Sequence, residues 1–322
     1  MERCEGESNV TESNPLVRQR RTFTAAFFAA VGAFTFGVVL PISLGSKQGS
    51  PSLTLGKSQP SKTIPEVVLL QDSIAQRVEG SQTALEKIEQ RFNVLMPERF
   101  QGTIVSQAKL PSHKKVIALT FDDGPWPEST TQILDVLKKN NIKATFFWVG
   151  RYLQANPALG KKVVAQGHAI GNHSWSHQYY KYNEEGASRE IDRTSALIQE
   201  QTGVKVSMFR PPGGILTNGL VDYAQKKKYA IIMWSVDSLD WRSSAESLLE
   251  NVLRQANGGG IVLMHDGGGN RSKTVTSLPK IIDELKKKGY EFVTVPELLA
   301  MQDQEMITNQ KTPATTTAEP PH

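Results

Sequence analysis

Between residues 116 and 298 short apolar runs alternate with amphipathic stretches, and this alternation restricts the fold more than any other feature of the chain. The runs are "VIALTF" (116–121), "ATFFWVG" (144–150), "HAIGNHS" (168–174), "MFRPP" (208–212), "AIIMWSVD" (230–237), "IVLMHD" (261–266) and "EFVTVPEL" (291–298). Between them lie helical candidates such as "STTQILDVLKKN" and "SAESLLENVLRQANGG". Continuous apolar runs of this length, separated by helices, indicate parallel strands covered on both faces. Seven such units predict an α/β fold, either a barrel or a doubly wound sheet. A chain of 322 residues, 39% of them hydrophobic, is large enough to bury the core that such a fold needs.

The polar residues able to do chemistry fall at the C-terminal ends of these runs: Asp122 and Asp123, His173, Arg210, Asp237 with Asp240, and His265 with Asp266. In parallel α/β folds the C-terminal strand ends share one face, where sites form. "TFDDGP" (120–125) has the composition of a surface turn, but adjacent carboxylates repel, and a cation between them would relieve that repulsion. In "HSWSH", His173 and His177 stand four apart, and a helical turn there would point both imidazoles the same way. His168 begins its run, at the opposite end of the strand, and reads as structural. Two imidazoles and one carboxylate leave the fourth corner of a tetrahedral ion open, as catalytic rather than structural sites do. Neighbouring residues leaving a strand point apart, so one aspartate is expected to ligate while the other faces water as a base. The sole cysteine, Cys4, excludes an intramolecular disulfide and the usual cysteine-based zinc sites.

"TFDDGP", "HSWSH", "RPPGG", "DSLDW" and "IVLMHD", in that order and spacing, resemble the five motifs of the polysaccharide deacetylase family, the NodB-homology or carbohydrate esterase family 4 enzymes. The resemblance covers residues 114–300 and implies a distorted (β/α)7 barrel that hydrolyses N-acetyl groups of amino sugars with one divalent metal. By that resemblance Asp122 is the general base, and Asp123, His173 and His177 are the metal ligands. Arg210 orients the base, Asp240 holds and tunes the catalytic His265, and Trp241 and Leu263 wall the acetyl pocket. Where the family often carries a bulky residue after "RPP", this chain has Gly213, which keeps the backbone N–H for the oxyanion but loses a side chain near the sugar. The ligand set suits Zn2+, with Co2+, Mn2+ and Ni2+ also compatible. Expected substrates are N-acetylated cell-envelope polysaccharides, peptidoglycan or N-acetylglucosamine oligomers. An O-acetyl esterase acting on xylan or another glycan, and a non-catalytic glycan-binding protein, are the alternatives.

The remaining chain sets the expected location. Residues 22–44 carry no charge over a length that matches a bilayer, and Arg18, Arg20 and Arg21 precede them. They are expected to form a single-pass transmembrane anchor, with residues 1–21 cytoplasmic and the domain extracytoplasmic, in the bacterial periplasm or at the cell surface. A cleaved signal peptide is the rival, but its apolar core is usually about 7 to 15 residues, shorter than this stretch. Residues 45–110 read as a flexible linker in which 66–92 form either a stalk helix or a small element packed against the domain, residues 111–302 as the catalytic domain, and residues 303–322 as a disordered tail. The net charge is +5, but its lysines sit at predicted helix ends, where they complement helix dipoles, so no nucleic-acid partner is expected.

Overall fold

The computed structural model describes residues 96–311. The expected cytoplasmic segment 1–21, the anchor 22–44, the linker up to residue 95 and the tail from 312 lie outside the described residues. Among the described residues, no helix is long and apolar enough to cross a membrane.

The strands and helices alternate in chain order: β1 (Ile104–Val105), β2 (Val116–Gly124), α1 (Pro127–Lys139), β3 (Thr145–Trp148), α2 (Gly150–Ala155), α3 (Pro157–Ala165), β4 (Ala169–Asn172) and α4 (Glu184–Thr202). There follow β5 (Met208–Phe209), α5 (Leu220–Lys226), β6 (Ala230–Ile232), β7 (Val236–Asp237), α6 (Ala245–Gln255), β8 (Gly260–His265), α7 (Ser272–Lys287), β9 (Glu291–Phe292) and α8 (Val295–Lys311). The strands form one parallel sheet in the order β1-β6-β5-β4-β3-β2-β8-β7, with β9 added beside the start of β2.

β2 shows how a strand buried along its whole length still carries two different faces. Ile117, Leu119 and Phe121 pack with Ile133, Leu134 and Leu137 of α1 and with Leu278, Ile281 and Ile282 of α7. Val116 and Ala118 belong to a second cluster, with Phe147, Met208, Ile232 and Ile261. The period of two therefore assigns one set to the helix layer and the other to the concave side of the sheet. Along the concave face the residues run Val116, Ala118, Thr120, Asp122, so polarity rises toward the C-terminal end. Gly171, register partner of Phe147, is a glycine because a Cβ there would collide with the Phe147 ring.

The helices begin and end as their sequences dictate. Asn183 caps α4 by accepting the Gly186 N–H, and the helix stops at Gly203, whose φ of 77° is left-handed. Ser244 caps α6 in the same way. The lysines expected at helix ends are there: Lys138 and Lys139 in the last turn of α1, Lys286 and Lys287 in that of α7.

The structure departs from the sequence expectation at several places. The run 230–237 is not one strand, because the chain leaves β6 when Met233 N–H donates to Val105 and joins a different neighbour when Ser235 N–H donates to Ile261. In the run 291–298 only two residues pair as a strand. "TVPE" there is a capping box: Thr294 N–H donates to Glu297 (2.8 Å), Glu297 N–H approaches Thr294 Oγ1 (3.4 Å), and α8 begins. The end of the expected linker, residues 96–110, is part of the domain: β1 pairs with β6, and Phe100, Val105, Ala108 and Leu110 are buried. A two-residue strand is too short to show in apolar patterning. The expected tail boundary at 303 is crossed by α8, where Asp303 pairs with Arg99 and Glu305 accepts the Ser112 hydroxyl (2.6 Å). Finally, the barrel of seven strands is an open curled sheet of nine; the ladder ends at β1 and β7, and the gap is crossed by the antiparallel bridge of Gln107 with Gly260.

Candidate metal centre and active site

The C-terminal end of β2 does not follow simple strand alternation. The pairing with β3 shifts between Asp122 and Gly124, and Asp123 has a φ of 75°. Regular alternation would send Asp123 toward the helix layer; the left-handed residue in this bulge turns its carboxylate to the same side as that of Asp122. Both acids face one imidazole, since His173 Nε2 lies 3.7 Å from Asp122 Oδ2 and 3.6 Å from Asp123 Oδ1. The two carboxylates therefore do not diverge as expected: both face His173.

His173 and His177 also converge, though not by the expected helical turn. Residues 173–177 form a loop in which Ser174 (φ 66°) and His177 (φ 56°) are left-handed. Side chains hold this loop in place of helical hydrogen bonds. Asn172 Oδ1 accepts the Ser174 N–H (2.8 Å), and Glu190 Oε2 of α4 accepts the N–H groups of Trp175 (2.9 Å) and Ser176 (2.8 Å). Ser174 Oγ accepts the His177 N–H at 3.0 Å. His177 Nε2 then lies 3.1 Å from Asp123 Oδ1.

Asp123, His173 and His177 each offer a ligand atom, all within 4.8 Å of one another. Three further observations fit a divalent cation here. Asp123 Oδ1 is buried without a hydrogen-bond partner, a state that a cation relieves. Burial, and then the charge of His177, push His173 down to about 3, so its imidazole is neutral, as a ligand must be. Its Nδ1 donates to the Arg210 carbonyl (2.7 Å), which leaves the Nε2 lone pair directed at the site. Arg271 stands behind Asp123, with Nη2 at 3.7 Å from Oδ2 and Nε donating to the Gly267 carbonyl.

Beside this triad Asp122 is held by a fully buried arginine. Arg210 donates to Asp122 Oδ1 (2.8 Å), Thr120 Oγ1 (2.7 Å) and the carbonyls of Ile232 (2.9 Å) and Met233 (3.1 Å), and its guanidinium lies over the Phe147 ring. Burial pushes the Asp122 carboxyl above the usual carboxylate range, while the charges of Arg210 and His265 act in the opposite direction. A carboxylate fixed on one oxygen and raised in basicity has the attributes of a general base.

On the neighbouring strand β8, where His265 is the register partner of Asp122, its Nδ1 meets Asp240 Oδ1 at 2.7 Å. Asp240 Oδ2 accepts the His265 N–H (2.8 Å) and the Thr274 hydroxyl (2.7 Å), so both oxygens are committed. Burial alone would lower His265, but the hydrogen bond and charge of Asp240, joined by the charges of Asp122 and Asp123, raise it to about 9. His265 thus carries its proton at neutral pH, with Nε2 left for a substrate.

These groups surround a cavity of about 640 Å³. Asp122, Asp123, His173, His177 and His265 line it, as do Gly213, Trp241 and Leu263; Arg210 and Asp240 stand behind as supports. Asp237 also lines it, whereas His168 sits away from it, buried, with Nδ1 accepting the Ala144 N–H (3.1 Å). Asp266 is drawn up to about 7 by burial, hydrogen-bonded to Thr130 at 2.5 Å. Residue patterning did not single out Glu190, Thr274 and Arg271, which brace ligands or catalytic candidates, nor Arg151, Tyr152, Tyr179 and Trp234 in the lining. Arg271 follows "HDGGGN" closely enough to have been suspected; Glu190 and Thr274 lie inside helices that read as ordinary amphipathic segments.

Residues 109–232 match the family model described as polysaccharide deacetylase. A Bacillus cereus protein named peptidoglycan-N-acetylglucosamine deacetylase is 42% identical over 209 residues, which span 64% of this chain and 98% of that one. A solved peptidoglycan N-acetylglucosamine deacetylase, in complex with an N-oxidanyl-benzamide, is 36% identical with a TM-score of 0.58, over 62% of this chain and 94% of that one. A CE4 family pseudoenzyme from Bacillus anthracis is also similar, at 33% identity and a TM-score of 0.56, over 61% of this chain and 68% of that one.

Proposed function

The chain belongs to the polysaccharide deacetylase family, and from that premise we propose that it removes N-acetyl groups from amino-sugar polysaccharide, with peptidoglycan as its substrate. The observation that carries this reading is the meeting, in one cavity, of the Asp123–His173–His177 cluster with an arginine-held Asp122 and an aspartate-held His265.

Asp123, His173 and His177 would hold the divalent cation, with zinc the ion that this nitrogen and carboxylate set favours. When bound, the cation supplies Lewis acidity, polarising the acetyl carbonyl and acidifying water. The protein supplies the rest. Asp122 takes the proton of the attacking water, and Arg210 keeps the carboxylate aimed by holding Oδ1, so that Oδ2 remains for the water. Gly213 offers its backbone N–H to the oxyanion, and Leu263 and Trp241 enclose the acetyl methyl. His265 gives the Nε2 proton to the departing amine, which needs it because an amide anion is too basic to leave. Asp240 keeps the proton on Nδ1 and the charge on the ring.

The likeness to a pseudoenzyme raises the non-catalytic alternative. Against it stands the complete set here: His173, Asp122 and His265 each have a supporting hydrogen bond, and Asp122, Asp123, His173, His177 and His265 all line the cavity. We place the domain outside the cytoplasm on a single-pass anchor formed by residues 22–44, a reading supported by their uncharged length and the arginines before them. Recovery of the full chain in the carbonate-washed membrane fraction, with the domain digested by protease added outside spheroplasts, supports this; a cytosolic chain refutes it.

The test of function is acetate release by the purified full chain loaded with zinc, on peptidoglycan, N-acetylglucosamine oligomers and acetyl-xylan. Release from the first two is expected. Release confined to acetyl-xylan identifies an O-acetyl esterase, and none from any substrate, with metal bound, overturns catalysis.

A further inference from the structure

Position 213 has no side chain, yet the space beside it is filled. A Cβ built on Gly213 would lie 3.1 Å from Cε1 and 3.5 Å from Cζ of Tyr179. Gly213 also has a φ of 62°, so glycine is favoured there by its backbone as well. An aromatic ring therefore does stand next to "RPP", but it comes from the loop after His177, two residues beyond a proposed ligand. Tyr179 lies edge-on to the His177 ring, with centroids 5.4 Å apart.

Tyr179 differs from the rest of the aromatic surface. The exposed large apolar side chains among the described residues are Ile104, Tyr179, Tyr180, Leu216 and Trp241, and of these Tyr179 and Trp241 line the cavity. Both are 57% exposed. Neighbouring Tyr180 is no part of that lining and packs toward Tyr182 instead. The Tyr179 hydroxyl, like those of Tyr180 and Tyr290, makes no hydrogen bond within the described residues, whereas the Tyr152, Tyr182, Tyr223 and Tyr229 hydroxyls do; of the three free hydroxyls only that of Tyr179 belongs to a residue lining the cavity. A half-exposed ring with an uncommitted hydroxyl, on the wall of a concave polar site, is matched by a ligand with an apolar face rimmed by hydroxyls. A pyranose has that form, with axial C–H groups on its faces and hydroxyls at its edge.

We propose that Tyr179 is a substrate-contacting specificity residue, its ring packed on a pyranose face and its hydroxyl bonded to a sugar hydroxyl, in the space that a side chain at position 213 would otherwise occupy. This rests on the deacetylase reading. A side chain at position 213 would press on the Tyr179 ring, so both positions bear on the same part of the wall.

The test compares the zinc-loaded full chain with Tyr179→Ala and Tyr179→Phe. Binding of N-acetylglucosamine tetramer is measured by calorimetry, and rates on the tetramer and on 4-nitrophenyl acetate are measured alongside zinc content. Tyr179→Ala should weaken tetramer binding and raise its KM by ~10-fold, the range of an aromatic contact residue. Its loss of kcat/KM should be greater on the tetramer than on the small ester, zinc should be retained, and Tyr179→Phe should recover most of the affinity. Unchanged tetramer binding in Tyr179→Ala overturns the proposal. So do equal losses on both substrates accompanied by zinc loss, which would show that the ring only braces His177. A wild-type chain that binds tetramer in a Tyr179-dependent manner without releasing acetate sinks the deacetylase reading and leaves the Tyr179 contact standing.

Discussion

Replacing Asp240 with asparagine tests the general-acid assignment most directly, because one atom changes and the shape does not. In the wild type His265 is raised from 6.5 to about 9, with the Asp240 hydrogen bond and charge as the foremost causes acting upward against burial. That shift corresponds to about 3 kcal/mol favouring the protonated ring. Both Asp240 oxygens accept hydrogen bonds, from His265 Nδ1, His265 N–H and the Thr274 hydroxyl. An asparagine has one acceptor oxygen and a donor-only nitrogen, so it cannot serve both sides and carries no charge. Burial then acts on the ring with less opposition, and its pKa is expected at or below 6.5. The protonated fraction at neutral pH therefore falls, and kcat/KM should drop by ~10-fold or more, and by ~100-fold or more with the wrong tautomer. The sign follows from the acid's role: activity is present below the folded pKa of His265 and lost as pH rises through it. A bound divalent cation lowers that alkaline limb in both proteins, leaving the displacement between them as the quantity that Asp240 sets. The assay is acetate release from N-acetylglucosamine tetramer between pH 5 and 10, with zinc content and circular dichroism as controls. If Asp240→Asn loses activity by the same factor at every pH, with its alkaline limb unmoved, His265 is not the titrating acid and the reasoning fails.

Other outcomes are expected from the same geometry. Asp122→Asn should reduce kcat by ~100-fold or more with KM and zinc content nearly unchanged, because the base is lost while the cluster remains; restored turnover at high pH would contradict the base assignment. His177→Ala should weaken zinc binding by at least ~100-fold in a competitive chelator titration, since it removes one of three ligands. Glu190→Ala frees the N–H groups of Trp175 and Ser176 that hold the histidine loop, and should cost ~10-fold to ~100-fold in zinc affinity although Glu190 touches no ligand side chain; unaltered affinity would show that the loop holds itself. Chelator treatment of the wild type should abolish acetate release, and added zinc should restore it.

The residues of the site were legible in the sequence because their chemistry is local. Asp122, Asp123, His173, Arg210 and His265 end apolar runs, and parallel strands bring such ends to one face. The lysines at helix ends were legible for the same reason, because they act within one turn. Short pairings were not. β1, with two residues, has no periodicity to display, and the capping box of "TVPE" hid in an apolar run that reads equally well as strand.

What the sequence determined by itself was the parallel α/β architecture and the inventory of reacting groups, since apolar periodicity and residue type are properties of single segments. The direction of each group was decided by the tertiary structure. The bulge at Asp123 needs β3 and β8 as neighbours, the convergence of His173 and His177 needs Glu190 from a helix 13 and more residues away, and the ring beside Gly213 comes from another loop. Orientation depends on hydrogen bonds and packing between distant segments, and those exist only once the sheet has curled and the helices have packed on it.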